Sequence, residues 1–186
     1  MPQLEFREGL ILENIEQQMI NNIAVGIVRY AGNARNSLSG AERPVRILLS
    51  NDSNNNSAKA IYYFKSAFEA LGIEHGDAGV FSSEQLRIAF YELNFDLALS
   101  VEKIKKSYRV KIFERGETIG GLEGNMPGGV NFEGKVKSFS YGVAIPKSGI
   151  DTIRYAIDDN IELLTKTPEY NENYHEIAKK LCKKYN

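Results

Sequence analysis

The sequence predicts a single α/β domain of three layers, with a mixed sheet and helices on both of its faces. Three observations support this prediction. Residues 45–49 are almost continuously apolar, which is typical of a strand covered on both faces. Residues 58–71 carry apolar side chains at helical spacing, and Gly72 follows them as a stop signal. Residues 108–113 alternate between apolar and other side chains, which indicates a strand with one partly solvated face.

Helices and strands alternate over the first two thirds of the chain. Residues 1–12 have the character of a lead-in strand or arm, and residues 31–43 form a polar connection that contains glycine and is followed by Pro44. Ser82 and Gln85 make a capping box for a helix that ends near Leu93. The predicted elements in chain order are helix 13–30, strand 45–49, helix 58–71, strand 73–80, the capped helix, strand 95–101 and strand 108–113.

The last third of the chain is predicted to add a hairpin and C-terminal helices. A glycine-rich loop at 120–129 is followed by strand character at 132–144. Ser148 and Asp151 are predicted to cap a helix that runs from residue 150 to residue 164 or 165, and a short helix at 170–184 follows it. We therefore expect residues 1–186 to form one domain, with 45–113 as its core and 114–186 as the added hairpin and helices.

Composition and charge exclude several classes of protein. The 186 residues are 42% hydrophobic and 25% charged with a net charge of −1, so no overall field favours nucleic acid or an anionic membrane. A single cysteine and two histidines give no disulfide framework and no histidine- or cysteine-rich metal site. The chain lacks a signal-peptide pattern and any apolar run of about 18 residues. We expect a cytoplasmic protein without a membrane or nucleic-acid partner.

The asparagine-rich turn at 50–57 is the first candidate binding site. It follows a buried strand and opens a helix, where free backbone N–H groups and the helix dipole favour an anion. Its candidate phosphate ligands are Asn51, Ser53, Asn54 and Ser57. The alternative is that the turn only caps the helix, with Asn54 to Ser57 as candidate N-caps.

The basic run at 103–111 is the second candidate. Lys103, Lys105, Lys106 and Arg109 have the charge to bind phosphate groups. Alternating lysines are also common on exposed edge strands, where they discourage aggregation. The glycine-rich loop at 120–129 has two further interpretations, a hairpin connection or a ligand-gating flap.

Candidates for catalysis are few. Asp52, Asp77 and Asp96 lie near predicted strand ends, where open α/β sheets place ligands. The spacing identifies no nucleophile–base pair, and His75 is predicted to be a turn residue. We therefore assign no catalytic residue and no metal ligand from the sequence.

Five segments of residues 45–113 are similar, in order, to segments of one known family. S-N-D-S-N-N-N-S at 50–57 is similar to a G-R-D-T/S-R-x-x-S turn, A-L-G-I at 70–73 matches a helix end, and D-A-G-V-F-S-S at 77–83 is similar to D-x-G-V-x-P/S-T/S. F-D-L-A-L-S-V at 95–101 is similar to the family's F/A-D-A-G-I-x-I strand, and Y-R-V-K-I-F at 108–113 is similar to Y-N-G-I-K-V/I-Y/F. Residues 45–113 thus resemble the first domain of the α-D-phosphohexomutases, the phosphoglucomutase and phosphomannomutase superfamily.

The departures from that family bear on its chemistry. Asn51 and Asn54 stand where the family has arginines, and E-K-I-K-K at 102–106 replaces the T-A-S-H-N-P loop that carries the phosphorylated serine. The D-G-D-G-D metal loop of the family's second domain is missing as well. The resemblance therefore implies an inherited scaffold without the mutase reaction and without a cofactor.

These observations predict a non-catalytic protein that acts by binding. One form is self-assembly or partner binding through surfaces that the ancestral domain buried, with a homo-oligomer as the expected state. The other form is the sequestering or sensing of a phosphorylated sugar or nucleotide. The alternative is a small phosphosugar or nucleotide enzyme in which Asp52, Asp77 or Asp96 holds Mg²⁺ through its waters.

Overall fold

A computed structural model describes the residues on which the fold is built, namely 9–38, 45–115, 143–159, 162–163, 179–180 and 183. Several predicted features lie outside these residues. They are the start of the lead-in strand, the glycine-rich loop at 120–129, most of the strand character at 132–144 and most of the terminal helix at 170–184.

The described residues form one mixed sheet of six strands. Strand β2 runs parallel to β3 and β4, whereas β5 is antiparallel to β4, β1 and β6. The order in space is β1 (Leu10–Leu12), β5 (Ser107–Glu114), β4 (Leu97–Ile104), β2 (Arg46–Asn51) and β3 (Glu74–Val80), with β6 (Val143–Ala144) pairing with β5. The predicted mixed sheet is confirmed.

Helices cover both faces of this sheet. They are α1 (Gln17–Leu38), α2 (Asn55–Ala70), α3 (Ser83–Glu92) and α4 (Lys147–Asp158). In β2, Ile47 and Leu49 pack in a large core with residues of α1, α2 and α4, while Leu48 points to the other face and packs with residues of α3. The three-layer α/β prediction is confirmed. None of the helices in the described part of the chain is long and apolar enough to cross a membrane.

Local signals in the sequence set several helix ends. Asn54 is the N-cap of α2, and its side chain accepts a hydrogen bond from Asn56 N. Ser82 and Gln85 form the predicted reciprocal capping box, with N···O distances of 3.0 and 3.2 Å. Gly72 has a φ of +68°, the left-handed conformation that favours glycine after a helix.

Three local predictions were wrong. Helix α1 begins at Gln17 and continues to Leu38, so much of the predicted polar connection is helical. Helix α4 begins at Lys147 after Pro146, which places Ser148 and Asp151 inside the helix rather than at its cap. His75 is not a turn residue: it lies in β3, which agrees with the predicted strand 73–80, and its side chain is buried against Phe68 of α2.

Close packing joins α4 to α1. A Cβ atom at Gly26 would lie 2.6 Å from the Cα atom of Ile153, so glycine is what allows the two helices to approach. The Tyr30 hydroxyl of α1 donates a hydrogen bond to the Glu114 carboxylate at the end of β5. Burial, the hydrogen bond and the negative charge of Glu114 all raise the pKa of Tyr30 above its usual range. These contacts hold α4 on α1 and α1 on the end of β5.

Candidate functional site

Strand β5 presents its charged side to the face of the sheet that α3 covers. Tyr108, Val110 and Ile112 belong to the large core. Because side chains alternate along a strand, Arg109 and Lys111 point to the opposite face, where Phe113 packs with residues of α3. The predicted alternation of this segment is confirmed. Two cations therefore lie beside α3 on one strand.

A cavity of about 240 Å³ lies between α3 and β5. It extends to the edge of the sheet and is bounded there by residues of β6 and α4. This volume is below the roughly 300–1,000 Å³ of sites that bury a whole drug-sized ligand, so the cavity suits a small molecule or the anionic end of a larger one. Its lining residues are Gly9, Ser83, Glu84, Arg87, Arg109, Lys111, Ile112, Phe113, Ala144, Ile145 and Ile150.

The two cations of β5 are held by polar partners. Lys111 Nζ lies 2.8 Å from Glu102 Oε1 and donates a hydrogen bond of 3.3 Å to Ser83 Oγ. Arg109 is directly opposite Glu102 in the antiparallel pair, and its Nη1 atom lies 3.8 Å from the same oxygen. The side chains of Arg109, Lys111 and Glu102 are 18%, 25% and 26% exposed. Their charges are thus screened less than surface charges are.

Helix α3 contributes a third cation to the cavity. Ser83 and Arg87 are four residues apart, so they lie on one face of the helix. The Arg87 guanidinium lies 5.8 Å from the centre of the Phe113 ring, within reach of a cation–π contact. Three cationic side chains and the carboxylates of Glu84 and Glu102 leave one net positive charge at the cavity. A cavity with that charge and a hydroxyl suits an anion.

A buried row of hydroxyl side chains leads across the sheet to Lys111. Ser50 of β2 pairs with Ser100 of β4, and Ser100 pairs with Lys111 of β5. Ser50 and Ser100 are 0% and 2% exposed, and Ser50 Oγ has no hydrogen-bond partner among the described residues. A buried hydroxyl without a partner costs about 1–3 kcal/mol. The sheet therefore carries a polar row on the α3 face at the level of the cavity.

The asparagine-rich turn lies apart from this cavity, at the end of β2. Asp52 organises it, because its two carboxylate oxygens accept hydrogen bonds from Asn54 N at 3.0 Å and Lys103 N at 2.6 Å. Of the predicted phosphate ligands here, Ser53 is exposed, Asn54 is half-buried and acts as the helix cap, and Asn51 and Ser57 are buried. Asn54 caps α2, as the alternative interpretation of this turn predicts. A role of the turn in binding stays a prediction.

The other predicted ligands lie along the β4–β5 hairpin. Lys105 and Lys106 form its two-residue turn, in which Lys105 has a φ of +50°, and Lys103 is near the end of β4. All three lysine side chains are exposed. Only Arg109 of the predicted set lines the cavity. The structure therefore separates the eight predicted residues into the turn, the exposed hairpin end and the cavity.

The three carboxylates that the enzyme alternative assigns to Mg²⁺ each contact a different part of the protein. Asp77 accepts a hydrogen bond from Gly79 N and forms an ion pair with Lys65 at 3.1 Å. Asp96 accepts a hydrogen bond from Arg46 N at the start of β2, whereas Asp52 lies after the end of that strand. Within the described ranges, no group of three or more His, Cys, Asp or Glu side chains could hold a metal ion.

Sequence reasoning missed most of the cavity. Lys111 was read only as part of the basic run, and Ser83 and Arg87 were assigned no role. The one local signal for Ser83 and Arg87 is their four-residue spacing, which places them on one face of α3. That spacing is also common on solvated helices. The fact that Ser83 meets Lys111, 28 residues away, depends on the packing of α3 against the sheet.

The order of helices and strands in residues 45–113 agrees with the order of the five segments that resemble the phosphohexomutase domain. Strand β2 enters the 50–57 segment and ends at Asn51, α2 ends directly before Leu71 and Gly72, and β5 returns after β4, in the order of the matched segments. The resemblance nevertheless stays a prediction. In comparisons with known proteins, no family model and no curated protein matches the chain.

Proposed function

We propose that this protein acts by binding a small anion in the cavity between α3 and β5, without carrying out catalysis. The observation that carries the proposal is the convergence of Arg87, Arg109 and Lys111 with the Ser83 hydroxyl around one cavity. Guanidinium and ammonium groups are the side chains that bind phosphate and carboxylate oxygens most strongly. The binding site is partly buried, so these contacts are worth more than the same pairs on the surface.

A phosphorylated sugar or nucleotide is the ligand class that the phosphohexomutase resemblance implies. The cavity has room for the phosphate and an adjoining group, and the rest of such a ligand would lie outside it. Three cations arranged around one volume suit a phosphate, which offers three oxygen acceptors. The protein would then sequester or sense the ligand.

The test is titration of the full chain with glucose 1-phosphate, glucose 6-phosphate, AMP and GMP, with and without Mg²⁺. Calorimetry reports binding, and product analysis reports turnover. We expect binding of at least one ligand without product, because Lys111 Nζ is ion-paired with Glu102 and donates its hydrogen bond to Ser83 Oγ, so it is not placed as a base for that hydroxyl. Product that disappears in Asp52→Ala would instead support the Mg²⁺ enzyme and overturn the non-catalytic proposal.

A matched pair of variants locates the site. We expect Lys111→Gln to weaken binding by about tenfold or more, since charge-assisted hydrogen bonds contribute roughly 1.5–3 kcal/mol. Lys103→Gln removes the same charge from the exposed hairpin, and we expect it to weaken binding less than about twofold. The reverse order would place the ligand at the asparagine-rich turn and the hairpin end instead.

Self-assembly is the second candidate function, and exposed apolar side chains support it. Val80 at the end of β3 is 54% exposed, and Tyr155 of α4 is 70% exposed. No strand of the described residues pairs with the outer side of β3, so a second chain could extend the sheet there. Light scattering that gives a stable dimer or larger assembly, together with no response to any anion, would favour this function over the first.

A further inference from the structure

Glu102 contacts two of the cations that line the cavity, although it is not itself a lining residue. Its Oε1 atom lies 2.8 Å from Lys111 Nζ and 3.8 Å from Arg109 Nη1. An ammonium group has three N–H donors, and the contacts of Lys111 with Glu102 and Ser83 use two of them. An incoming anion therefore shares Lys111 and Arg109 with Glu102 or takes the place of its carboxylate.

The charge of Glu102 acts on any bound anion by Coulomb repulsion. This energy is proportional to the charge of the ligand, so in free energy a dianion is penalised about twice as strongly as a monoanion. Because free energy depends on the logarithm of the binding constant, doubling the free-energy penalty squares the factor by which the binding constant falls. Because the Glu102 side chain is only 26% exposed, solvent screens this repulsion less than it screens a surface carboxylate.

We infer that Glu102 is a specificity-determining residue: it competes for Arg109 and Lys111 from beside the pocket and lowers the pocket's affinity for phosphate monoester dianions more than for monoanions. The inference rests on the proposed anion pocket and adds the residue that sets its charge preference. The consequence is that a higher dianion concentration is needed to fill the pocket than in a pocket without this carboxylate. Glu102→Gln keeps the size and one acceptor oxygen of the side chain while removing the competing charge.

The experiment is calorimetric titration of the wild-type chain and Glu102→Gln with methyl phosphate and dimethyl phosphate at pH 8. The second pKa of a phosphate monoester is about 6, so methyl phosphate is a dianion there and dimethyl phosphate a monoanion. We expect Glu102→Gln to raise the affinity about tenfold for the dianion and about threefold for the monoanion.

Glu84→Gln is the matched control. Glu84 also lines the cavity, but its side chain is exposed, so removing the same charge should raise either affinity less than about twofold. Circular dichroism and thermal unfolding check that both variants are folded.

The outcomes separate the two proposals. Dianion affinity that rises more than monoanion affinity, and more in Glu102→Gln than in Glu84→Gln, supports the inference. Wild-type binding that Glu102→Gln leaves unchanged, or weakens, overturns the competitor role and leaves the anion pocket standing. If neither the wild type nor either variant binds a phosphate ester, the anion pocket and the inference fall together.

Discussion

The two faces of the sheet differ in how completely they are used for packing. On the face covered by α1, α2 and α4, a continuous apolar core runs from β1 to β2. On the other face a smaller core lies under α3, and beside it Arg87, Arg109 and Lys111 line a cavity. The comparison teaches that the larger apolar core and the proposed anion site lie on different faces of the sheet. Changes to the first face should affect unfolding, and changes to the second should affect binding.

The largest expected effect is on the apolar face. Phe64 is 0% exposed and stacks on Phe68 with ring centres 5.9 Å apart. Phe64→Ala should lower the free energy of unfolding by about 3–5 kcal/mol, because it removes buried apolar area and leaves a void. Urea unfolding measures the loss. The comparison variant is Lys111→Gln, for which we expect the free energy of unfolding to fall by less than about 1 kcal/mol. Equal losses in the two variants would contradict the division between the faces.

Helix α4 on the same face should tolerate little change at its contact with α1. The added methyl of Gly26→Ala would meet Ile153 Cα at 2.6 Å and Ala156 Cβ at 3.2 Å. We expect a loss of about 1–3 kcal/mol from overpacking, despite the better helix propensity of alanine.

Gly32 provides the control for that substitution, because it lies in the same helix with nothing within 4 Å of the added Cβ. Gly32→Ala should stabilise the protein by about 0.5–1 kcal/mol. Thermal and urea unfolding report both variants. A stabilising Gly26→Ala would mean that the two helices are not closely packed.

The smallest expected effect concerns His75, an ionisable side chain buried on this otherwise apolar face. Burial lowers the pKa of His75, although the Ile73 carbonyl and the Glu69 carboxylate, 3.8 Å from Nε2, act in the opposite direction. In the unfolded chain the pKa is near 6.5, so below that pH the unfolded state binds the proton more readily. Stability should therefore fall as the pH is lowered from about 6.5 toward 5, by at most about 1.4 kcal/mol per pH unit.

His75→Leu isolates this effect, because it removes the titrating group and leaves the carboxylates unchanged. Unfolding free energies at pH 7, 6 and 5 should decline less in the variant than in the wild type. The imidazole proton resonance of His75 should also titrate with a midpoint below 6.5. A midpoint above 6.5 would show that Glu69 dominates over burial.

Sequence reasoning was most accurate where near neighbours decide the structure. Asn54, the Ser82–Gln85 pair and Gly72 act through backbone groups within a few residues of themselves, and each lies at the predicted helix end. It was least accurate where a distant packing partner decides. Helix α1 extends beyond the predicted boundary, and the strand around His75 is buried by a helix whose contribution the local pattern does not contain.

By itself the sequence determined the α/β class, the order of elements from 45 to 113 and the alternation that turns Arg109 and Lys111 away from the large core, because periodicity and capping are local properties. Only the tertiary structure decided that Ser83 and Arg87 join those two cations, that Glu102 lies against them, and that the asparagine-rich turn lies elsewhere. The physical reason is that a contact such as that of Ser83 with Lys111, 28 residues apart, depends on how α3 packs on the sheet, which is a property of the whole core. The contacts of Glu102 depend on the register of β4 against β5.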